Sequence, residues 1–289
     1  MNYTQKTLLL ILFFSTLLSC NRVEELTFDS FDIGGANMLP PENIKYLNYY
    51  KGIFNSENDM GIDLQSTSDE AFRKKSTPRV NNYQLGGHFP DNANKMESSY
   101  SVESINVNWQ EGQGHMIYNH NHEYISDGTP PLSKLFGKTV TVKFNYSQGS
   151  NTRYEDITTT FYVPKELVVT NPVPEELGIG EYFTITGTTL DISWEPDENN
   201  EHGLLIGIKW DGETVEKPIV IGGEKVQNIK LIDDDGQFTI TEEFFEGIPR
   251  NTFLRFFIIR GNIVLDEVNG QIIELKSSST VLHSRVVYE

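Results

Sequence analysis

Leu190-Asp191-Ile192-Ser193-Trp194 sets three apolar side chains on one side of an extended chain and two polar ones on the other, the period-two pattern of a half-buried β-strand. Leu204, Ile206, Ile208 and Trp210 repeat it after a polar loop from Glu195 to Gly203, and Asp211-Gly212 supplies turn chemistry at its end. Further on, Phe238 with Ile240, then residues 253–260, 263–268 and 281–288, read as additional strands. Six or more short strands separated by turns within about 120 residues predict a β-sandwich.

The same pattern extends towards the N-terminus. Ile105-Asn106-Val107-Asn108-Trp109 alternates strictly, and the two glycines between Gln110 and Gly114 predict a hairpin into residues 115–124. Val140, Val142, Phe144 and Tyr146 alternate again, residues 148–151 form a turn, and residues 157–163 return. Pro164, Pro172 and Pro174, with Glu175-Glu176 and Gly178, mark the boundary between halves. Residues 66–82 are polar, carry the basic run Arg73-Lys74-Lys75, and read as a loop. Ile44, Leu47 and Tyr50 after Pro40-Pro41-Glu42 have helical spacing and predict a short helix ended by Gly52. The expected fold is all-β: two tandem antiparallel β-sandwich domains, residues 21–163 and residues 164–289, after a leader of residues 1–20.

Leu190 to Trp194, together with Asp235-Gly236-Gln237-Phe238-Thr239-Ile240 leading through Ile248-Pro249 to Phe257-Ile258-Ile259-Arg260-Gly261-Asn262, resembles the Ig-like domains of bacterial surface lipoproteins. The resemblance covers about residues 164 to 289. The chain lacks the paired cysteines of antibody domains, so what the resemblance implies is an architecture and no partner.

The leader carries a second resemblance. Met1 to Lys6 is short and singly positive, Thr7 to Leu18 is a nearly unbroken apolar run, and Leu17-Leu18-Ser19-Cys20 follows. As a helix the apolar run spans about 18 Å, well short of the roughly 30 Å hydrocarbon core of a bilayer, so a secretory signal fits better than a spanning helix. The Leu-x-Ser-Cys ending resembles the lipobox of bacterial lipoproteins, and Cys20 is the one cysteine of the chain. The resemblance implies that Cys20 becomes the lipidated first residue of the mature protein. A diacylglycerol plus an N-acyl chain would hold it on a membrane firmly, where a single acyl chain is marginal. Asn21-Arg22-Val23-Glu24-Glu25 is similar to the acidic tethers of lipoproteins sent to the cell surface; the expected place is the outer membrane, with its periplasmic and external faces both open.

Lys and Arg number 23 against 41 Asp and Glu in the 289 residues, a formal charge of −18, which repels a phosphate backbone and excludes nucleic acid as the expected partner. The imbalance is concentrated: residues 171–289 hold 9 basic and 22 acidic groups, a balance of −13, and residues 21–170 hold 13 and 19, a balance of −6. With one cysteine no intramolecular disulfide forms, so hydrophobic cores must hold the fold.

Few residue patterns carry chemistry. His120 and His122 share strand parity and two imidazoles at that spacing can chelate a metal, although the plainer reading is a polar hairpin arm; His115 has the opposite parity. His122-Glu123 opens like a zincin motif, but Ser126 stands where the second histidine belongs. Asp233-Asp234-Asp235-Gly236 with Glu242 partly matches a calcium loop, yet Leu231 falls at its first ligand position, so Asp233 and Asp235 read first as an acidic turn entering a strand. Asp197-Glu198-Asn199-Asn200-Glu201 reads as a second, solvated oxygen-rich loop. No Gly-x-Ser-x-Gly elbow, Walker or dinucleotide motif occurs, so no catalytic residue and no cofactor is expected. Tyr46, Tyr49 and Tyr50, with Phe54, offer stacking surface for sugar rings or a partner protein, or cap the open end of the first sandwich. Trp109, Trp194 and Trp210 occupy alternating positions and read as core.

These readings converge on a non-enzymatic, lipid-anchored surface protein that binds or assembles with a protein or glycan partner. A carbohydrate-binding lipoprotein, similar to the accessory starch-binding lipoproteins of outer-membrane uptake systems, is the alternative, and a hydrolase the third class. An exposed coplanar aromatic row would favour glycans, an open strand edge or flat apolar patch a protein, and two converging carboxylates a hydrolase.

Overall fold

In the computed structural model, the residues described are 37–39, 60–68, 81–89, 98–108, 116–121, 132–147, 154–172, 182–217, 225–268 and 270–289. They belong to one unit, residues 35–289. Among them there is no α-helix, only strands and two short 3₁₀ turns, Leu132–Leu135 and Glu242–Phe245. The strands are β1 (Asn37–Met38), β2 (Met60–Ser68), β3 (Asn81–His88), β4 (Ser99–Val102), β5 (Ile105–Asn108), β6 (Met116–Asn121), β7 (Lys138–Ser147) and β8 (Tyr154–Val163). The second half supplies β9 (Val169–Asn171), β10 (Phe183–Ile185), β11 (Leu190–Trp194), β12 (Leu204–Trp210), β13 (Val226–Ile232), β14 (Gln237–Ile240), β15 (Thr252–Val268) and β16 (Gln271–Tyr288). The fold is all-β.

A nine-stranded sheet runs β1-β13-β12-β15-β16-β2-β3-β6, with β10 also on β16. Its axis is the β15–β16 hairpin, whose strands of 17 and 18 residues extend about 55 Å each. Sequence reading breaks this hairpin into three shorter strands. The chain stays extended because Arg260, Gly261 and Asn262 continue the ladder opposite Ser279, Ser278 and Ser277. At its tip Val268 pairs with Gln271, and Gly270 lies at φ 79°, where a Cβ would be strained.

Two smaller sheets lie on this long one. The β5-β4-β7-β8 sheet packs Tyr100, Val102, Val142, Phe144 and Ile157 against Met60, Ile62, Leu64, Ile273 and Leu275. The β14-β11-β9 sheet belongs to a second cluster, where Ile192, Trp194 and Ile240 meet Leu204, Ile206, Ile208, Phe256, Ile258 and Val281. The first cluster is drawn from residues 60–163 plus the hairpin tip, and the second from residues 167–288. The change from one core to the other therefore falls between Val163 and Leu167, while the long sheet passes through both.

Several expected elements are arranged differently. Pairing is not antiparallel throughout, since β2 and β10 each join β16, and β1 joins β13, in parallel. β5 and β6 do not form a hairpin: Ile105 and Val107 are buried in the first cluster from the small sheet, while β6 pairs with β3 in the long one. Residues 66–68 and 81–82, read as loop, are strand, because Ser66 and Ser68 are buried inward-facing positions of β2 that happen to be polar. The predicted helix after Pro41 lies outside the described residues, as does Trp109.

Candidate functional site

The polar residues of the long sheet are not scattered. On one face, Ile258 belongs to the second core and Val264 packs on the first; Arg260 and Asn262 lie between them on the same side of β15. Ser277 and Ser279 on β16, and Ser66 and Ser68 on β2, extend this into a belt that separates the two cores. The chain crosses from β8 to β9 over the belt, and its backbone is tied there. Leu167 N–H donates to Ser279 Oγ at 2.8 Å, Asn262 Nδ2 donates to the Tyr162 carbonyl at 2.6 Å, and Ser66 Oγ donates to Glu166 Oε1 at 3.1 Å.

Arg260 is the centre of the belt and is fully buried. Its Nη1 donates to the carbonyls of Lys165 and Glu166 at 3.2 and 3.3 Å, and its Nη2 to the Glu195 carbonyl and to Asp234 Oδ1, both at 2.7 Å. The same Asp234 oxygen accepts from Trp194 Nε1 at 2.8 Å, and the other from Asn200 Nδ2 at 2.9 Å. One carboxylate and three carbonyls satisfy both terminal nitrogens of this buried guanidinium, while its Nε is buried without a hydrogen-bond partner. Asp197 does parallel work beside it, accepting from Tyr162 Oη through both oxygens and from the N–H groups of Lys165 and Asn199. Burial, and then the hydrogen bond to Asp197, pushes the Tyr162 phenol up to about 12. All of these contacts but the local one from Asn199 fix one chain segment on another.

The other arrangement with chemical content is a groove of about 410 Å³ on the outer face of the β5-β4-β7-β8 sheet. Tyr100, Phe144 and Ile157 turn their side chains inward to the first core, so Ser99, Ser101, Asn106, Lys143, Asn145, Asp156 and Thr158 face the opposite way. One cross-strand row reads Asn106, Ser101, Lys143, Thr158, and the next Ser99, Asn145, Asp156. Asn145 Nδ2 donates to Asp156 Oδ1 at 2.6 Å, while Lys143 is exposed and makes no ion pair or hydrogen bond among the described residues.

The residues singled out in the sequence fall elsewhere. Cys20, His115, His122, Tyr46, Tyr49, Tyr50 and Phe54 lie outside the described residues; His120 lies in β6, paired with Tyr83. Asp233 and Asp235 are exposed, with Asp235 Oδ1 accepting from the Gln237 N–H at 3.2 Å, whereas Asp234 between them is turned inward on Arg260. Among the described residues no three His, Cys, Asp or Glu side chains are placed to hold a metal ion. The loop from Asp197 is not simply solvated, because Asp197 itself is buried. Trp194 and Trp210 are buried, each with its indole N–H bonded. Sequence reading misses Arg260, Asp234 and the groove. An arginine inside Phe256-Phe257-Ile258-Ile259-Arg260 is the available signal for the first two, since a cation at an inward position must find a buried acid. No helix among the described residues is long and apolar enough to cross a membrane. No protein-family model matches the chain, and no curated protein matches it in sequence.

Proposed function

We propose that the chain is a lipoprotein anchored to the outer membrane through Cys20, with two Ig-like β-sandwiches joined on a common sheet, and that it acts by binding or assembly without catalysis. The observation that carries the anchor is the leader: a singly positive start, an apolar run too short to span a bilayer, and the sole cysteine directly after Leu-Leu-Ser. The binding reading draws on how the buried ionisable groups are used. Arg260, Asp234 and Asp197 are consumed in holding backbone and one another, which is a scaffold's use of charge. A scaffold of this sort presents surfaces, and the strongly acidic balance of residues 171–289 keeps it away from an anionic membrane.

Replacing Cys20 with Ala tests the anchor. The variant should accumulate as an uncleaved or soluble precursor, measured by detergent phase partition and by the mass of the mature N-terminus. A Cys20→Ala protein that partitions and matures like the wild type would overturn the lipoprotein reading.

A further inference from the structure

The groove on the β5-β4-β7-β8 sheet contradicts the local preferences of its own strands. Asn and Asp are depleted in strands, where β-branched and aromatic residues fit the pleat, yet Asn106, Asn145 and Asp156 occupy strand positions with their side chains in the groove. The inward positions of the same strands obey the rule, with Val102, Val107, Val142 and Ile157. A local rule broken on one face of a sheet and kept on the other marks that face as selected for something besides folding. Its volume of about 410 Å³ lies within the roughly 300–1,000 Å³ usual for small-ligand clefts.

The geometry points to a site for a neutral oligosaccharide in this groove. The Lys143 ammonium only donates, the Asp156 carboxylate only accepts, the Asn145 amide does both, and the hydroxyls of Ser101 and Thr158 do both. Vicinal sugar hydroxyls, each donor and acceptor at once, match such a mixed set. One cation and one anion leave the groove without net charge, so it selects neither sign of ligand, and a formal charge of −18 on the whole chain disfavours acidic glycans further. Tyr100 and Phe144 are buried beneath the groove, so it offers no aromatic face for stacking and its affinity rests on hydrogen bonds alone. Millimolar binding is the expected range. The inference names a ligand class for the binding reading above and rests on it.

The test is titration of the full chain in detergent micelles with neutral hexasaccharides of glucose, mannose and galactose, alongside uronic-acid hexamers, followed by calorimetry and by amide shifts of Asn145 and Thr158. At least one neutral hexamer should bind and shift those amides. Lys143→Met and Asp156→Asn should each weaken it about tenfold or more, since hydrogen bonds to charged groups are the stronger kind, while melting stays within about two degrees of wild type because both sites are exposed. The inference is overturned if no neutral hexamer binds, if binding is unchanged in both variants, or if only uronic-acid hexamers bind. Failure here leaves the Cys20→Ala partition result untouched, so the two readings fail separately.

Discussion

Arg260 and its partners show where charge is spent in this protein. Removing Asp234 strands a buried guanidinium that keeps only carbonyl acceptors, and breaking a buried pair from one side typically costs about 3–5 kcal/mol. Asp234→Ala should therefore lower the denaturant midpoint severely, and an unchanged midpoint would mean that the buried pair contributes nothing to stability. Trp194 has two roles, as a buried ring in the second core and as a donor to Asp234. Trp194→Ala should cost about 3–5 kcal/mol through its cavity, and Trp194→Phe, which keeps most of the ring but leaves its polar partner short of a donor, about 1–3 kcal/mol. Tyr162 gives a pH signature. Its folded value, near 12, lies above the ordinary 10, so the folded protein retains a proton that the unfolded chain releases, and stability must fall as pH rises from 10 through about 12. Tyr162→Phe should flatten that part of the stability curve, measured by chemical denaturation across the alkaline range. Trp194 was legible in the sequence because its strand alternates cleanly; Asp234 was not, because three consecutive aspartates look alike until the fold turns the middle one inward.

At the scale of elements, alternation recovered β5, β7, β8, β11 and β12, whereas β2, β4 and β13 went unread although each buries apolar residues. β7 and β8 pair over all ten residues as their pattern implies. β2 begins Met60, Ile62, Leu64 and continues Ser66, Ser68, so its second half carries no apolar signal although it is equally buried. The centre of the β15–β16 hairpin is hidden for the same reason, its inward positions being Arg260, Asn262, Ser277 and Ser279. Packing across β12 supplies a sharper test. Gly207 pairs with Phe257 on one side and Ile229 on the other, and a Cβ there would lie 2.3 Å from Phe257 Cζ and 2.8 Å from Ile229 Cγ2. Gly207→Ala must push both side chains aside and should cost about 1–3 kcal/mol by overpacking. Gly86 in β3 is the contrast, since a Cβ there meets nothing nearer than the Asp63 carbonyl at 3.9 Å. Gly86→Ala should be neutral or slightly stabilising in the same denaturation assay. Equal losses in the two variants would show that strand glycines matter here for the backbone alone.

Across the whole molecule, the question is whether residues 164–289 can stand without the first half. The buried members of their own cluster all come from residues 167–288, with Leu39 packing on it from the first half, which favours independent folding. The hairpin argues the other way. Residues 273–281 of β16 pair with β2 along nine positions, and Ile273 and Leu275 are buried in the first core. Cut at 163, the fragment would keep its second core, lose Tyr162 from Asp197, and present nine unpaired β16 positions beside uncovered aliphatic side chains. Long uncovered strand edges of this kind pair with other chains. The fragment should thus melt cooperatively but below the full chain, and should self-associate in sedimentation runs as concentration rises. A second fragment, with residues 262–277 replaced by Asn-Gly so that the hairpin closes between Gly261 and Ser278, removes most of the exposed edge while keeping their pairing. It should remain monomeric at concentrations where the longer fragment does not. A longer fragment that is monomeric and as stable as the full chain would mean that the shared sheet contributes nothing to holding the halves together.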